Sequence, residues 1–232
     1  MIFVRSALFN AAFFGITLIA TLVASVARLT SPDHVLAIAM LWARALRLAV
    51  RVICGIKVEV TGLEHIAPGA ALIASRHQSA FDTFIWLTLV PRGCYVFKKE
   101  LLRIPLFGAL IPASGMIAVD RDAGAAAIRT LLRETDRAVR EGRQVVIFPE
   151  GTRSEPGSKL VMQPGIAAMA SRSGLPVIPV STNSGSFWGR RSFRKLPGTI
   201  RIVIGAPIPV HTERKALMQA LEQGLTAIDR AP

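Results

Sequence analysis

Ser75-Arg76-His77-Gln78-Ser79-Ala80-Phe81-Asp82-Thr83 lies between two apolar runs, residues 70–74 before it and 84–90 after it. The first run is short and strand-like. The second is long enough for a helix, which Pro91 and Gly93 then end. His77 therefore falls on the turn from a strand into a helix. Ser79 and Asp82 have the S-x-x-D spacing of a helix start, with Ser79 as N-cap and Asp82 in the first turn. On an unbroken helix, residues five apart would point away from each other. With the helix starting between them, the loop can fold His77 back until one ring nitrogen meets the Asp82 carboxylate. The other nitrogen is then free to take a proton from a hydroxyl. The same spacing also suits a capping aspartate beside an ordinary loop histidine, and the stretch alone leaves both readings open.

Outward from this turn, short β-branched runs alternate with helical ones. The pattern predicts strands at 57–60, 70–74, 94–97, 116–119, 144–148, 177–180 and 199–204, and helices at 80–90, 105–111, 122–141, 164–173 and 213–229. Such alternation predicts an α/β fold: a single, largely parallel sheet flanked by helices, with the site at the strand C-ends. Two N-terminal membrane-associated helices precede it. The expected domains are residues 1–55, carrying those helices, and 56–232, the α/β domain.

Residues 6–27 carry no charge and are flanked by Arg5 and Arg28, a length sufficient to cross the hydrocarbon. Ser25-Val26-Ala27 also resembles a signal-peptide cleavage site, and a buried core helix is the third reading. Ser31-Pro32-Asp33 reads as N-cap, N1 proline and early acid, which starts a second helix that closes near Gly55. In it Arg44, Arg47 and Arg51 form a stripe among leucines, either a solvated face or an interfacial face for anionic headgroups. The excess of basic residues after the first helix predicts that the bulk of the chain is cytoplasmic.

Composition agrees. In 232 residues, 51% are hydrophobic, and 28 Lys and Arg stand against 15 acidic residues, a net charge of +13. The mean hydropathy is +0.45. That balance favours an anionic partner, and a membrane suits it better than nucleic acid, since the basic residues are not interleaved with aromatics. Two cysteines, Cys54 and Cys94, make neither a disulfide framework nor a metal site. No metal or other cofactor is expected.

Two more strand ends carry charge. Strand 116–119 runs into Asp120-Arg121, which alone reads as a surface pair. Strand 144–148 runs into Pro149-Glu150-Gly151-Thr152-Arg153-Ser154. Gly151 lets the backbone pass close to a ligand, and the Arg153 guanidinium can clamp a phosphate through two hydrogen bonds. A polar turn with an internal Glu150–Arg153 pair is the alternative. The basic segment 189–195 reads as a solvated loop, or as a contact for coenzyme A phosphates, an acidic carrier protein or the bilayer. His34, His65 and His211 match no motif.

These blocks together resemble the glycerolipid acyltransferases typified by bacterial 1-acyl-sn-glycerol-3-phosphate acyltransferase, over about residues 56–205. His77 to Asp82 fits that family's histidine-x4-aspartate motif, and Gly115 to Arg121 fits its second block. Phe148 to Arg153 fits the third without a mismatch, and Val177-Ile178-Pro179-Val180 fits the fourth. Two positions depart: Arg76 stands where asparagine often precedes the histidine, bringing a positive charge beside the candidate base, and Ala118 stands where an aromatic is common.

The resemblance implies transfer of a fatty acyl group from acyl-CoA or acyl carrier protein to the free hydroxyl of 1-acyl-sn-glycerol-3-phosphate, giving phosphatidic acid. His77 would be the general base, and Asp82 would orient it as in a hydrolase triad. Arg153, with Arg121 as second donor, would hold the acceptor phosphate, while Glu150, Gly151 and Thr152 would line the acceptor site. Amides near Ser79 are the candidate oxyanion donors. Other acceptors in the same chemistry are a lyso-ornithine lipid or a lysophospholipid. The alternative from another class is a non-catalytic basic binder of membrane or nucleic acid. The enzyme reading requires that His77 and Arg153, 76 residues apart in the chain, open onto one cavity at the bilayer surface.

Overall fold

The computed structural model describes residues 1–210 and 213–229; His211 lies outside them. The chain begins with helices α1 (Ile2–Ala27) and α2 (Pro32–Cys54). The Ser31 hydroxyl accepts from the Asp33 amide at 3.2 Å to start α2, and Gly55, at φ 69°, ends it. There follow β1 (Ile56–Thr61), β2 (Ala71–Ser75), α3 (Asp82–Leu89), β3 (Gly93–Lys98), α4 (Phe107–Ala113), β4 (Ile117–Val119), α5 (Ala125–Arg140) and β5 (Gln144–Ile147). The chain continues with α6 (Gly165–Ser173), β6 (Val177–Thr182), α7 (Ser184–Phe187), β7 (Gly198–Ile204) and α8 (Arg214–Asp229). All seven expected strands are present, with ends within two residues of the sequence reading. The one-turn helix α7 was not expected, because Ser184-Gly185-Ser186-Phe187 carries no helical period.

The strands form one sheet in the order β1-β7-β6-β2-β5-β3-β4. Every pairing is parallel except β6 with β7. Side chains alternate across it, as strand geometry demands. Ile73, Tyr95 and Val146 face α2 and α3; Leu72, Cys94, Val145 and Ile147 face α5, α6 and α8. These strands are buried on both faces and so read as continuous apolar runs.

Two features of this order position the site. β2 and β5 are direct parallel neighbours, with Ala74 opposite Ile147, so their exit loops emerge side by side. The α1–α2 pair also packs on the face of the sheet that carries α3, because Phe9, Leu46 and Val50 share one core with Phe81, Phe84 and Phe148.

The N-terminal half of α1 is fastened to the connection between α7 and β7. Phe9, fully buried, meets the Trp188 ring edge-on at 5.2 Å. Lys195, 3% exposed, donates from Nζ to Asn10 Oδ1 at 2.6 Å and sits over the Phe9, Trp188 and Phe193 rings. Its backbone amide bonds Ser6 Oγ at 3.0 Å. Burial lowers the Lys195 ammonium below its ordinary value. The outer face of α1 (Phe3, Val4, Leu8, Phe14, Leu18, Leu22) stays exposed.

Phe9→Ala removes a buried ring at this joint and should cost about 3–5 kcal/mol. Thermal unfolding in detergent measures this; a loss under about 1 kcal/mol would show that the joint adds little to the fold.

Candidate active site

His77 sits on the loop leaving β2, and its ring is fixed from two sides. Nδ1 stands 3.2 Å from Asp82 Oδ2, and the imidazole stacks on Phe148 at 4.1 Å between centroids and 17° between planes. The acceptor on one side requires the proton on Nδ1, which leaves Nε2 as the basic nitrogen. Asp82, 2% exposed, also accepts from the amides of Gln78 at 2.7 Å and Ser79 at 2.8 Å. Below it, the Tyr95 hydroxyl accepts from the Trp86 amide at 3.0 Å and tethers α3 to β3. Burial raises that hydroxyl well above its ordinary value, so it stays protonated.

One reading of this turn is corrected and another narrowed. Ser79 is not the N-cap of α3: its Oγ accepts from the Phe81 amide at 3.1 Å inside a tight turn, and the regular helix starts only at Asp82. The turn is what brings His77 back over the carboxylate. The amides of Gln78 and Ser79 are taken by Asp82 and that of Phe81 by Ser79, which leaves the Ala80 amide as the one in this turn not engaged by them.

The loop leaving β5 braces the His77 backbone. Glu150 Oε2 accepts from the His77 amide at 2.7 Å, and Oε1 accepts from Ser154 Oγ at 2.8 Å. The Ser154 amide bonds the His77 carbonyl at 2.8 Å. Glu150 is therefore not paired with Arg153. Its ionic partner is Arg76, whose Nε stands 2.9 Å from Oε1 but out of line for a hydrogen bond. Arg76 Nη1 also meets Asp229 Oδ2 at 2.7 Å. The charge expected to bear on His77 is thus buried and offset by two carboxylates. Sequence reading missed Asp229 and Ser154 because nothing local links them to the histidine.

Gly151 takes φ 72°, a backbone that favours glycine, and its carbonyl accepts from Arg121 Nη1. Arg121 does not pair with Asp120, which bonds Lys99 at 3.4 Å instead. Gly115, which opens the second block, has a packing role: a Cβ there would lie 2.3 Å from the Arg143 guanidinium. His34 bonds Thr30 Oγ1 and His65 bonds the Ile204 carbonyl, both at 2.9 Å and away from this loop.

His77, Arg121, Gly151, Thr152 and Arg153 all line one cavity of about 490 Å³, together with Lys98, Arg190 and Arg191. No acidic side chain lines it among the described residues. Glu150 lines an adjoining hollow, with Val119 and Ala127, which shares Arg121, Gly151 and Thr152 with this cavity. Burial lowers the Arg153 guanidinium from its ordinary value; nearby Asp82 opposes that shift and Arg190 adds to it. Thr17, Trp42, Thr83, Tyr95, Phe97 and Phe107 border both this cavity and an apolar chamber of about 130 Å³ reaching between α1, α2 and α4. Neither cysteine is a candidate nucleophile: both are buried, and burial raises both thiols, Cys94 to about 12.

Comparison with known proteins gives the family and the fold. The acyltransferase family model matches residues 57–183, more than half of the chain. The chain belongs to the acyltransferase family. It is 36% identical over 182 residues to a 1-acyl-sn-glycerol-3-phosphate acyltransferase of Pseudomonas aeruginosa, covering 78% of this chain and 71% of that one. The protein of the same name from Limnanthes alba is 36% identical over 157 residues, 66% of this acyltransferase and 55% of the plant protein, so the chain spans little more than half of that relative. In fold, it matches the crystal structure of the 1-acyl-sn-glycerophosphate acyltransferase PlsC of Thermotoga maritima, with a TM-score of 0.77 over 100% of this chain and 99% of that one, at 22% identity.

Asp82→Asn should lower kcat about 10³-fold or more while leaving acceptor KM near its original value, as when a triad loses its orienting carboxylate. A loss under tenfold would remove Asp82 from the orienting role. Glu150 gives a pH signature. Burial, its largest influence, raises the carboxyl above the ordinary 4.5, so the folded protein holds that proton more tightly than the unfolded chain. The resulting stability is complete below 4.5 and is lost as pH rises through the folded value. Relative to Glu150→Gln, the parent protein should gain thermal stability as pH falls from about 7 towards that range; a difference flat with pH would refute the raised carboxyl.

Proposed function

We propose that this acyltransferase moves a fatty acyl group from a thioester, on coenzyme A or acyl carrier protein, to the free hydroxyl of 1-acyl-sn-glycerol-3-phosphate, giving phosphatidic acid. The observation that carries the reading is the shared cavity: the free nitrogen of His77, the Arg153 guanidinium and an apolar chamber meet in one space. Phosphate, hydroxyl and hydrocarbon each have a matching surface there. The names of the relatives point to the same acceptor.

His77 Nε2 takes the proton of the acceptor hydroxyl as its oxygen attacks the thioester carbonyl carbon. Asp82 steadies the imidazolium that forms. When the tetrahedral intermediate collapses, the C–S bond breaks and the imidazolium returns the proton to the departing thiolate. Atoms and charge balance without an acyl-enzyme. Arg153 holds the phosphate and so places the hydroxyl near Nε2, converting binding into orientation. Arg121, already donating to the Gly151 carbonyl, adds a second cation at the rim.

The same reading places the protein on an anionic membrane, the bacterial inner one, with the catalytic cavity on the cytoplasmic side. Ser6 and Asn10, near the start of α1, bond Lys195 of the α/β domain. That contact favours a helical hairpin lying in one leaflet, because a helix crossing the bilayer would carry its first turns away from the domain. The exposed apolar face of α1 and the Arg44 and Arg51 side chains of α2 suit hydrocarbon and headgroups respectively.

His77→Ala should abolish thioester release in the presence of lysophosphatidic acid while vesicle binding persists. Near-normal turnover would exclude His77 as the base. Arg153→Ala should raise acceptor KM at least tenfold for a phosphate-bearing lysolipid and much less for one without a terminal phosphate. Equal effects on a panel that includes lyso-ornithine lipid and lysophosphatidylcholine would refute the phosphate clamp.

A further inference from the structure

The cavity holds more positive charge than one lysolipid phosphate can use. Arg153 is accompanied by Arg190 and Arg191 on its lining, and none of the three has a carboxylate partner among the described residues. Arg190 Nη1 donates to the Arg153 backbone carbonyl at 3.4 Å, and the two like-charged side chains line one space, where Arg190 bears on the Arg153 guanidinium. Such an arrangement is unfavourable until an anion enters.

These arginines do not belong to a loose loop. The segment is pinned at one end by Trp188, buried against Phe9 and Phe13. At the other end Lys195 is buried in its aromatic cage, and the Leu196 amide bonds the Phe187 carbonyl at 2.8 Å. Between the two pins Arg191 takes φ 55°, which a side-chain-bearing residue rarely adopts. A solvated basic loop would have no need of buried anchors and a strained residue facing the cavity.

We propose that Arg190 and Arg191 form a second phosphate subsite at the mouth of the catalytic cavity, which binds the phosphate attached to pantetheine in the acyl donor. This rests on the acyl-transfer reading above and gives that reaction a donor site. The assignment to the donor follows from position. Arg153 lies beside Asp82 and His77 and takes the acceptor phosphate, whereas Arg190 and Arg191 are exposed at the rim, where the thiol carrier must leave once its acyl chain lies inside. Coenzyme A and acyl carrier protein share this phosphate.

The test is steady-state kinetics in nonionic micelles with Arg190→Ala/Arg191→Gly, glycine being chosen for the positive φ at Arg191. Arg194→Ala, an exposed residue of the same segment that does not line the cavity, is the control. The double variant should raise KM for palmitoyl-CoA and for palmitoyl carrier protein about tenfold. It should leave KM for the phosphate-free palmitoyl-N-acetylcysteamine thioester and for lysophosphatidic acid unchanged, and the control should match the parent. An equal rise with the phosphate-free thioester overturns the proposal, as does a rise confined to lysophosphatidic acid. A rise with the carrier protein alone also overturns it, since that would read the carrier's acidic surface. A defect seen only on phosphatidylglycerol vesicles overturns it in favour of lipid headgroups. A parent protein inert towards every thioester overturns the acyl-transfer reading and this subsite with it, whereas an active parent with unaltered donor KM in the variant overturns the subsite alone.

Discussion

The Asp82 carboxylate is the point on which the rest of the site depends. A carboxylate that is 2% exposed is costly unless its lone pairs are filled, and Oδ2 alone collects the amides of Gln78 and Ser79 and the His77 ring. Satisfying those donors forces the chain to turn tightly before α3 begins. That turn puts the imidazole over Phe148 with Nδ1 occupied by Asp82, on the lining of the cavity. One interaction therefore sets the loop conformation, the tautomer and which ring nitrogen is left free.

A second constraint comes from the loop leaving β5. Glu150 and Ser154 grip the amide and carbonyl of His77, so the base is held by its backbone as well as by its ring. Arg76 lies behind this grip, buried between Glu150 and Asp229 at the end of the last helix. The result is a separation of charge. Behind His77 the arginine is matched by carboxylates, while in front of it the cations face an open cavity without acidic neighbours. Anionic groups are drawn to that front, which His77 also lines.

The N-terminal helices join the same arrangement. By packing Phe9 against Trp188 and bonding Lys195 through Ser6 and Asn10, α1 steadies the segment that carries Arg190 and Arg191. With α2 and α4 it also walls the apolar chamber that opens into the catalytic cavity. A change in how α1 sits would reach both the hydrocarbon pocket and the charged rim.

Much of this was legible in order along the chain. Period-two and continuous apolar runs located all seven strands, since strand burial on both faces leaves a local mark. Ser31-Pro32-Asp33 and Gly55 bounded α2 through capping chemistry that acts over a few residues. The four blocks named the chemistry before any coordinates. Strand order, however, has no local signature. Only the sheet makes β5 a neighbour of β2 on one side, which brings Glu150 to the His77 amide, and β6 its neighbour on the other, where α8 packs and Asp229 meets Arg76, 153 positions away. A sequence records which groups are present and their near-range geometry. Which distant carboxylate meets which buried guanidinium is decided when the sheet closes, because burying either charge alone would be too costly.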